Sequence, residues 1–238
     1  MTSLALAILF GLLALFLLDN NWRAGLIMTF VIGFLQDPIR KITPDQPSSM
    51  VGLVLVAFLL TLLVIYEQLK GRIDLRAMFW TTPEIQDWIP IYFGLIGLQA
   101  FNSYARFGDF SLVILGAAFY VAPAIALWSG FVVGCNPRLL GRLITTYLIL
   151  CSVFAVSAFL AFKGLRGTLV EEVGKGILIT FQGFSAGGIC GLWRTSEIAG
   201  WHLASGSCFA IILGVCSQQR EKQILYFTLA AKIGRAHV

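Results

Sequence analysis

The feature that most constrains this chain is a series of apolar runs almost free of charge. Ser111–Gly134 and Ile198–Cys216 contain no Asp, Glu, Lys or Arg, and Leu139–Phe162 carries only Arg142, near its start. Leu4–Leu18, Ala24–Leu35, Met50–Tyr66 and Trp88–Tyr104 are also uncharged. A run such as Ile198–Cys216 spans roughly 28 Å as a helix, enough to cross a hydrocarbon core of ~30 Å. In lipid every backbone N–H and C=O must be satisfied within the protein, so such runs fold as helices. Composition agrees. Apolar residues make up 58% of the 238, and charged residues 12%, about half the usual ~25%. One soluble core of this size could not hide so much apolar side chain.

The expected fold is therefore all-α: a polytopic integral membrane bundle of about seven spanning helices. Residues 1–231 read as a single helical membrane domain. An eighth apolar run begins at Ile224 and breaks off, so this domain reads as the N-terminal part of a longer protein. Residues 232–238 read as a non-native tail. Ile233-Gly-Arg-Ala-His-Val238 can be encoded by ATCGGAAGAGCACACGTC, which resembles a widely used sequencing-library adapter. Met1-Thr2-Ser3 has no basic character, and the first run reads as a retained helix rather than a cleaved signal.

The basic excess, +5 overall, is a topology signal in such a chain. No cluster of four or more Lys/Arg occurs, which argues against nucleic-acid binding. In the short connections Arg23, Lys70, Arg72, Arg76, Arg138, Arg142, Arg220 and Lys222 fall on one side; Arg40, Lys41 and Arg106 fall on the other. That asymmetry places the N terminus and the connection Lys163–Glu197 outside the cytoplasm. Lys163–Glu197 contains eight glycines, and its apolar middle, Gly176–Trp193, reads as a short helix or re-entrant segment lining a cavity. Glu67–Asp87 is a polar connection with Pro83 as a breaker. Ala118, Ala122, Ala126, Gly130 and Gly134 form a small-residue face suited to close helix packing, beside a kink at Pro123. Gly200, Ala204 and Cys208 form a second such face. The five cysteines make no C-x-x-C and read as packing residues.

Two segments concentrate polar groups at span edges. Gln36–Pro47 has three prolines and reads as a stiff, extended turn. Arg40 and Lys41 there would face headgroups and could hold a phosphate by charge-assisted hydrogen bonds, or pair with Asp37 or Asp45. In Arg194–His202, Thr195 or Ser196 suits a helix N-cap and Glu197 the first turn. His202 has no capping role. An ionisable group in a membrane helix is a functional candidate by default, and a hydrogen-bonded structural histidine is the competing reading. Glu197 and His202 are about 140° apart on a helix, so they do not make an acid–base pair on one face. One histidine in the membrane domain cannot make a multi-His metal site.

The paired helices at the start, the segment Gln36-Asp-Pro-Ile-Arg-Lys-Ile-Thr-Pro-Asp-Gln-Pro47, and Arg194-Thr-Ser-Glu-Ile-Ala-Gly-Trp-His202 before an apolar helix resemble the N-terminal part of the O-antigen ligase and polymerase superfamily. The resemblance implies a metal- and cofactor-independent glycosyltransferase of the bacterial inner membrane. Its partners would be membrane lipids and a polyprenyl-diphosphate-linked glycan, ligated or polymerised outside the cytoplasm. Arg194, Arg166, Arg40 and Lys41 would bind the diphosphate, with His202 and Glu197 as catalytic candidates. Family members carry a large external loop and an arginine-containing motif downstream, so this chain would hold only part of the apparatus. The competing readings are a transporter or channel, supported by the Pro123 kink and by Gln99, Asn102 and Ser103, and a non-enzymatic membrane scaffold. A lack of paired buried charges and of an inverted repeat weighs against transport.

Overall fold

The apolar runs become helices because only a helix satisfies the backbone within one segment. The computed structural model describes residues 2–46, 50–69, 75–171, 179–181, 184–186 and 188–235. In chain order the helices are α1 (Thr2–Leu18), α2 (Trp22–Ile42), α3 (Met50–Leu69), α4 (Leu75–Thr81), α5 (Pro83–Phe107), α6 (Phe110–Gly134), α7 (Pro137–Phe162), α8 (Ser196–Cys216) and α9 (Arg220–Arg235). Among the described residues three helical stretches are long and apolar enough to cross a membrane: Gly116–Gly134, Pro137–Phe162 and Ser196–Cys216. Ala5–Leu18 and Val54–Leu69 are shorter apolar stretches.

The helix ends follow local chemistry. Asn21 caps α2 by accepting from the Ala24 N–H at 3.2 Å, and Asp109 caps α6 by accepting from Ser111 at 2.8 Å. Thr195, rather than Ser196, caps α8 by accepting from Ile198. Pro83 opens α5, where its missing N–H costs no helical bond. The connection Glu67–Asp87 thus holds the short α4 and the start of α5; residues 70–74 lie outside the described residues.

Three expectations change. Gln36–Ile42 is not an extended turn but the last part of α2, with Pro38 inside the helix. Tertiary contacts of Asp37 and Lys41, described below, hold this turn despite the bond Pro38 removes. Gly176–Trp193 includes a short antiparallel hairpin, Ile179–Phe181 (β1) against Phe184–Ala186 (β2), with Phe181 opposite Phe184. Residues 172–178, 182, 183 and 187 lie outside the described residues, so the expected helical or re-entrant form is not described there. On α8 the buried face is Ala199, Gly200, Leu203, Gly206, Ala210 and Gly214, whereas Ala204 and Cys208 are exposed. Gly206 meets the Cys151 sulfur of α7, and Gly214 meets the Phe227 ring of α9.

The chain forms two units. The first comprises residues 1–61 and 141–238. Among the described residues two of its apolar cores are seen. Leu13, Met28, Ile32 and Ala57 join α1, α2 and α3, with the buried Thr29 and Thr61 hydroxyls 2.9 Å apart. Phe34, Tyr147, Cys151, Phe154, Ala158, Trp193, Leu203 and Ile233 belong to the second core, around α7 and α8. The second unit, residues 62–140, packs α4, α5 and α6. There the Tyr92 hydroxyl donates to the Tyr120 carbonyl at 2.6 Å, in the turn preceding Pro123. On α6 the small-residue face is open at one end: Gly130 and Gly134 are exposed, with nothing within 4 Å of a Cβ placed there. Large apolar side chains such as Leu98, Phe101, Val156, Phe162, Trp201 and Val215 are exposed, as lipid-facing residues would be.

Candidate functional site

The two polar edge segments singled out in the sequence meet in the first unit. Asp37 and Lys41 lie one turn apart on α2, hence on one face. They are 4% and 3% exposed. Taking two charges out of water is costly unless hydrogen bonds and opposite charge compensate. The Lys41 ammonium donates to the Gly191 carbonyl at 2.6 Å, the Leu169 carbonyl at 3.2 Å and the Cys190 sulfur at 3.3 Å. The Asp37 carboxylate accepts from the Arg194 backbone N–H at 3.2 Å through Oδ2. It also lies in the field of the Arg194, Lys41 and Arg40 cations. Its other oxygen, Oδ1, is buried without a hydrogen-bond partner among the described residues.

The loop reaches α2 because Gly191 can pass against α7. Gly191 has φ +56°, and a Cβ there would collide with the backbone N of Ala158 and the hydroxyl of Ser157. The next residue, Leu192, donates its N–H to that Ser157 hydroxyl at 2.9 Å. The loop then delivers Trp193 into the core and Arg194 to the edge of α8.

Behind Arg194 lies an aromatic enclosure. Trp193 is stacked on the His202 ring at 6.0 Å between centroids and 12° between planes. Phe34 lies 4.9 Å from the His202 ring and packs edge-on against Tyr147 and Phe154. The Tyr147 hydroxyl and His202 Nδ1 share a hydrogen bond of 2.8 Å. Where Tyr147 donates, the imidazole carries its proton on Nε2. The Trp193 indole nitrogen is buried without a partner among the described residues.

The candidate residues fare differently. Arg194 and Arg40 are half-buried around the Asp37 carboxylate. Arg40 donates through Nε to the Gln46 carbonyl at 2.9 Å, and the Arg194 guanidinium has no hydrogen-bond partner among the described residues. Lys41 is not at the surface facing headgroups: it is buried with acceptors for its three protons, and it ties the loop to α2. Arg166 and Glu197 are exposed, and no described contact joins either to Arg194 or His202. Asp37 entered the sequence reading only as a pairing partner for Arg40 and Lys41; its burial was not visible there. Tyr147 and Trp193 were missed as site residues. A tyrosine in mid-run and a tryptophan beside Arg194 were the available signals. Among the described residues no group of three His, Cys, Asp or Glu could hold a metal ion. None of the five cysteines is in a disulfide; Cys151 and Cys190 are buried, and Cys135, Cys208 and Cys216 are exposed.

Comparison with family models, curated proteins and solved structures finds no match.

Proposed function

We propose that the chain is an O-antigen ligase- or polymerase-like protein of the bacterial inner membrane, with about seven spans. It would ligate or polymerise a polyprenyl-diphosphate-linked glycan outside the cytoplasm. The observation that carries this reading is the gathering of Arg40, Lys41 and Arg194 around one carboxylate, Asp37. Three cations against one anion leave a positive excess beside apolar helices. A guanidinium matches phosphate oxygens bidentately and is the natural partner for a lipid-borne diphosphate. In this reading the Arg194 and Arg40 guanidinium groups hold the diphosphate, and Lys41 holds the loop that carries Arg194. His202 lies behind them, and Glu197 at the exposed start of α8. Transfer would need no metal, because the arginines take up the charge of the leaving diphosphate.

The test is Arg194→Ala in the natural gene product. Glycan transfer or polymer should be lost while the protein still inserts. Normal glycan length and yield would remove Arg194 from the mechanism.

One observation favours a second reading. Asp37 and Lys41 are buried opposite charges one turn apart, a feature of solute and proton paths. A transporter would move solute into vesicles that contain no donor lipid, and such flux would favour that reading over transfer.

A further inference from the structure

The polar contacts of α2 fall at three points along one connection. Lys41 reaches Leu169 near its start and Cys190 and Gly191 near its end, and Asp37 takes the Arg194 N–H just before α8. Neither side chain is exposed enough to take a ligand itself. Arg194 has the opposite arrangement: its main chain is fixed by Asp37, and its guanidinium has no hydrogen-bond partner among the described residues. We infer that Asp37 and Lys41 are positioning residues, a clasp by which α2 sets where the Arg194 guanidinium stands and so how well it takes a phosphate group. The ligand half of this inference rests on the diphosphate reading above; the clasp itself does not.

Charge and position make opposite demands, which gives the test its sign. Asp37 is an anion beside the cations. If it acted through charge alone, both Asp37→Ala and Asp37→Asn would tighten the binding of a diphosphate. If it acts as a clasp, the two variants part. Asparagine keeps an oxygen that can accept from the Arg194 N–H, and alanine does not.

The probe is farnesyl diphosphate, titrated into the full chain in nanodiscs and read by tryptophan fluorescence. Asp37→Ala should bind about tenfold more weakly than the unmodified chain, the weight of one hydrogen bond. Asp37→Asn should bind as well as the unmodified chain or better. Tightening in both variants would overturn the clasp.

A second readout needs no ligand. Hydrogen exchange at the amides of Leu192, Trp193 and Arg194 should quicken in Asp37→Ala and in Lys41→Gln, and stay slow in Asp37→Asn. Unchanged exchange in all three would overturn the clasp. If Asp37→Ala fails to insert, Lys41→Gln against Asp37→Asn makes the same comparison. If Arg194→Ala binds farnesyl diphosphate as the unmodified chain does, the diphosphate reading falls, while exchange still decides on the clasp.

Discussion

At the scale of single residues, the site depends on a glycine and a carboxylate that do different work. Gly191 combines a left-handed backbone with contact against the α7 main chain. An alanine there meets both obstacles at once: the left-handed region costs a side chain about 1–2 kcal/mol, and forcing volume into a packed site costs about 1–3 kcal/mol more. Gly191→Ala should therefore lower the thermal unfolding midpoint in detergent, with a loss of at least about 2 kcal/mol. An unchanged midpoint would mean that the loop can move away from α7. Asp37 contributes otherwise. Its burial is costly by itself and is offset by Lys41, Arg40 and the Arg194 N–H. Removing one partner from such a set costs more than the set contributes as a whole, because the remaining charge stays buried.

At the scale of elements, α2, α5 and α6 each carry an internal proline, at Pro38, Pro90 and Pro123, and the first and last of these sit in different surroundings. In α2 the turn around Pro38 is held from outside, by the loop that Asp37 and Lys41 bind. In α6 the helix continues through Pro123, and in the turn before it Tyr92 of the neighbouring α5 donates to the Tyr120 carbonyl. Pro123 removes the N–H that would bond the carbonyl four residues earlier, at position 119, so the Tyr92 bond ties α5 to α6 in addition to the helical bonds and does not replace the lost one. Tyr92→Phe should cost about 0.6–1 kcal/mol, the range for a hydrogen bond between membrane helices. The change should appear as a lower unfolding midpoint. An effect indistinguishable from zero would show that helix α6 satisfies Tyr120 by itself. The small residues of α8 act at the same scale: Gly206 and Gly214 let α7 and α9 approach, as seen in the contacts with Cys151 and Phe227.

At the scale of the molecule, three helices among the described residues are long and apolar enough to cross a membrane, and the orientation proposed for them rests on the loop-charge asymmetry. The proposed topology places the loop around Arg166 outside the cytoplasm and the α8–α9 turn near Arg220 inside. With the five native cysteines replaced, a cysteine at position 166 should react with a membrane-impermeant maleimide in intact cells. One at position 220 should react only after the membrane is opened. The reverse pattern would invert the topology and remove a site outside the cytoplasm.

Helical character followed from the sequence without tertiary information, because uncharged apolar runs leave the backbone one economical solution in lipid. The ends of α6, α7 and α8 fell within a few residues of those runs, since Asp109 and Thr195 are strong local caps and Pro137 a natural first residue. Arg40, Lys41, Arg194 and His202 stood out for a related reason: polar groups at span edges are few enough to notice. What tertiary structure decided was the fate of each. Whether the turn after Leu35 stays helical through Pro38 depends on partners far away in sequence, at Leu169, Gly191 and Arg194. The same long-range contacts turned Lys41 from a surface cation into a buried tie, joined Asp37 to the main chain of Arg194, and enclosed His202 among Phe34, Tyr147 and Trp193. Periodicity and capping are local and can be read along the chain. The burial of a charge is set by whatever packs over it, and here that is a loop with more than a hundred residues between it and α2.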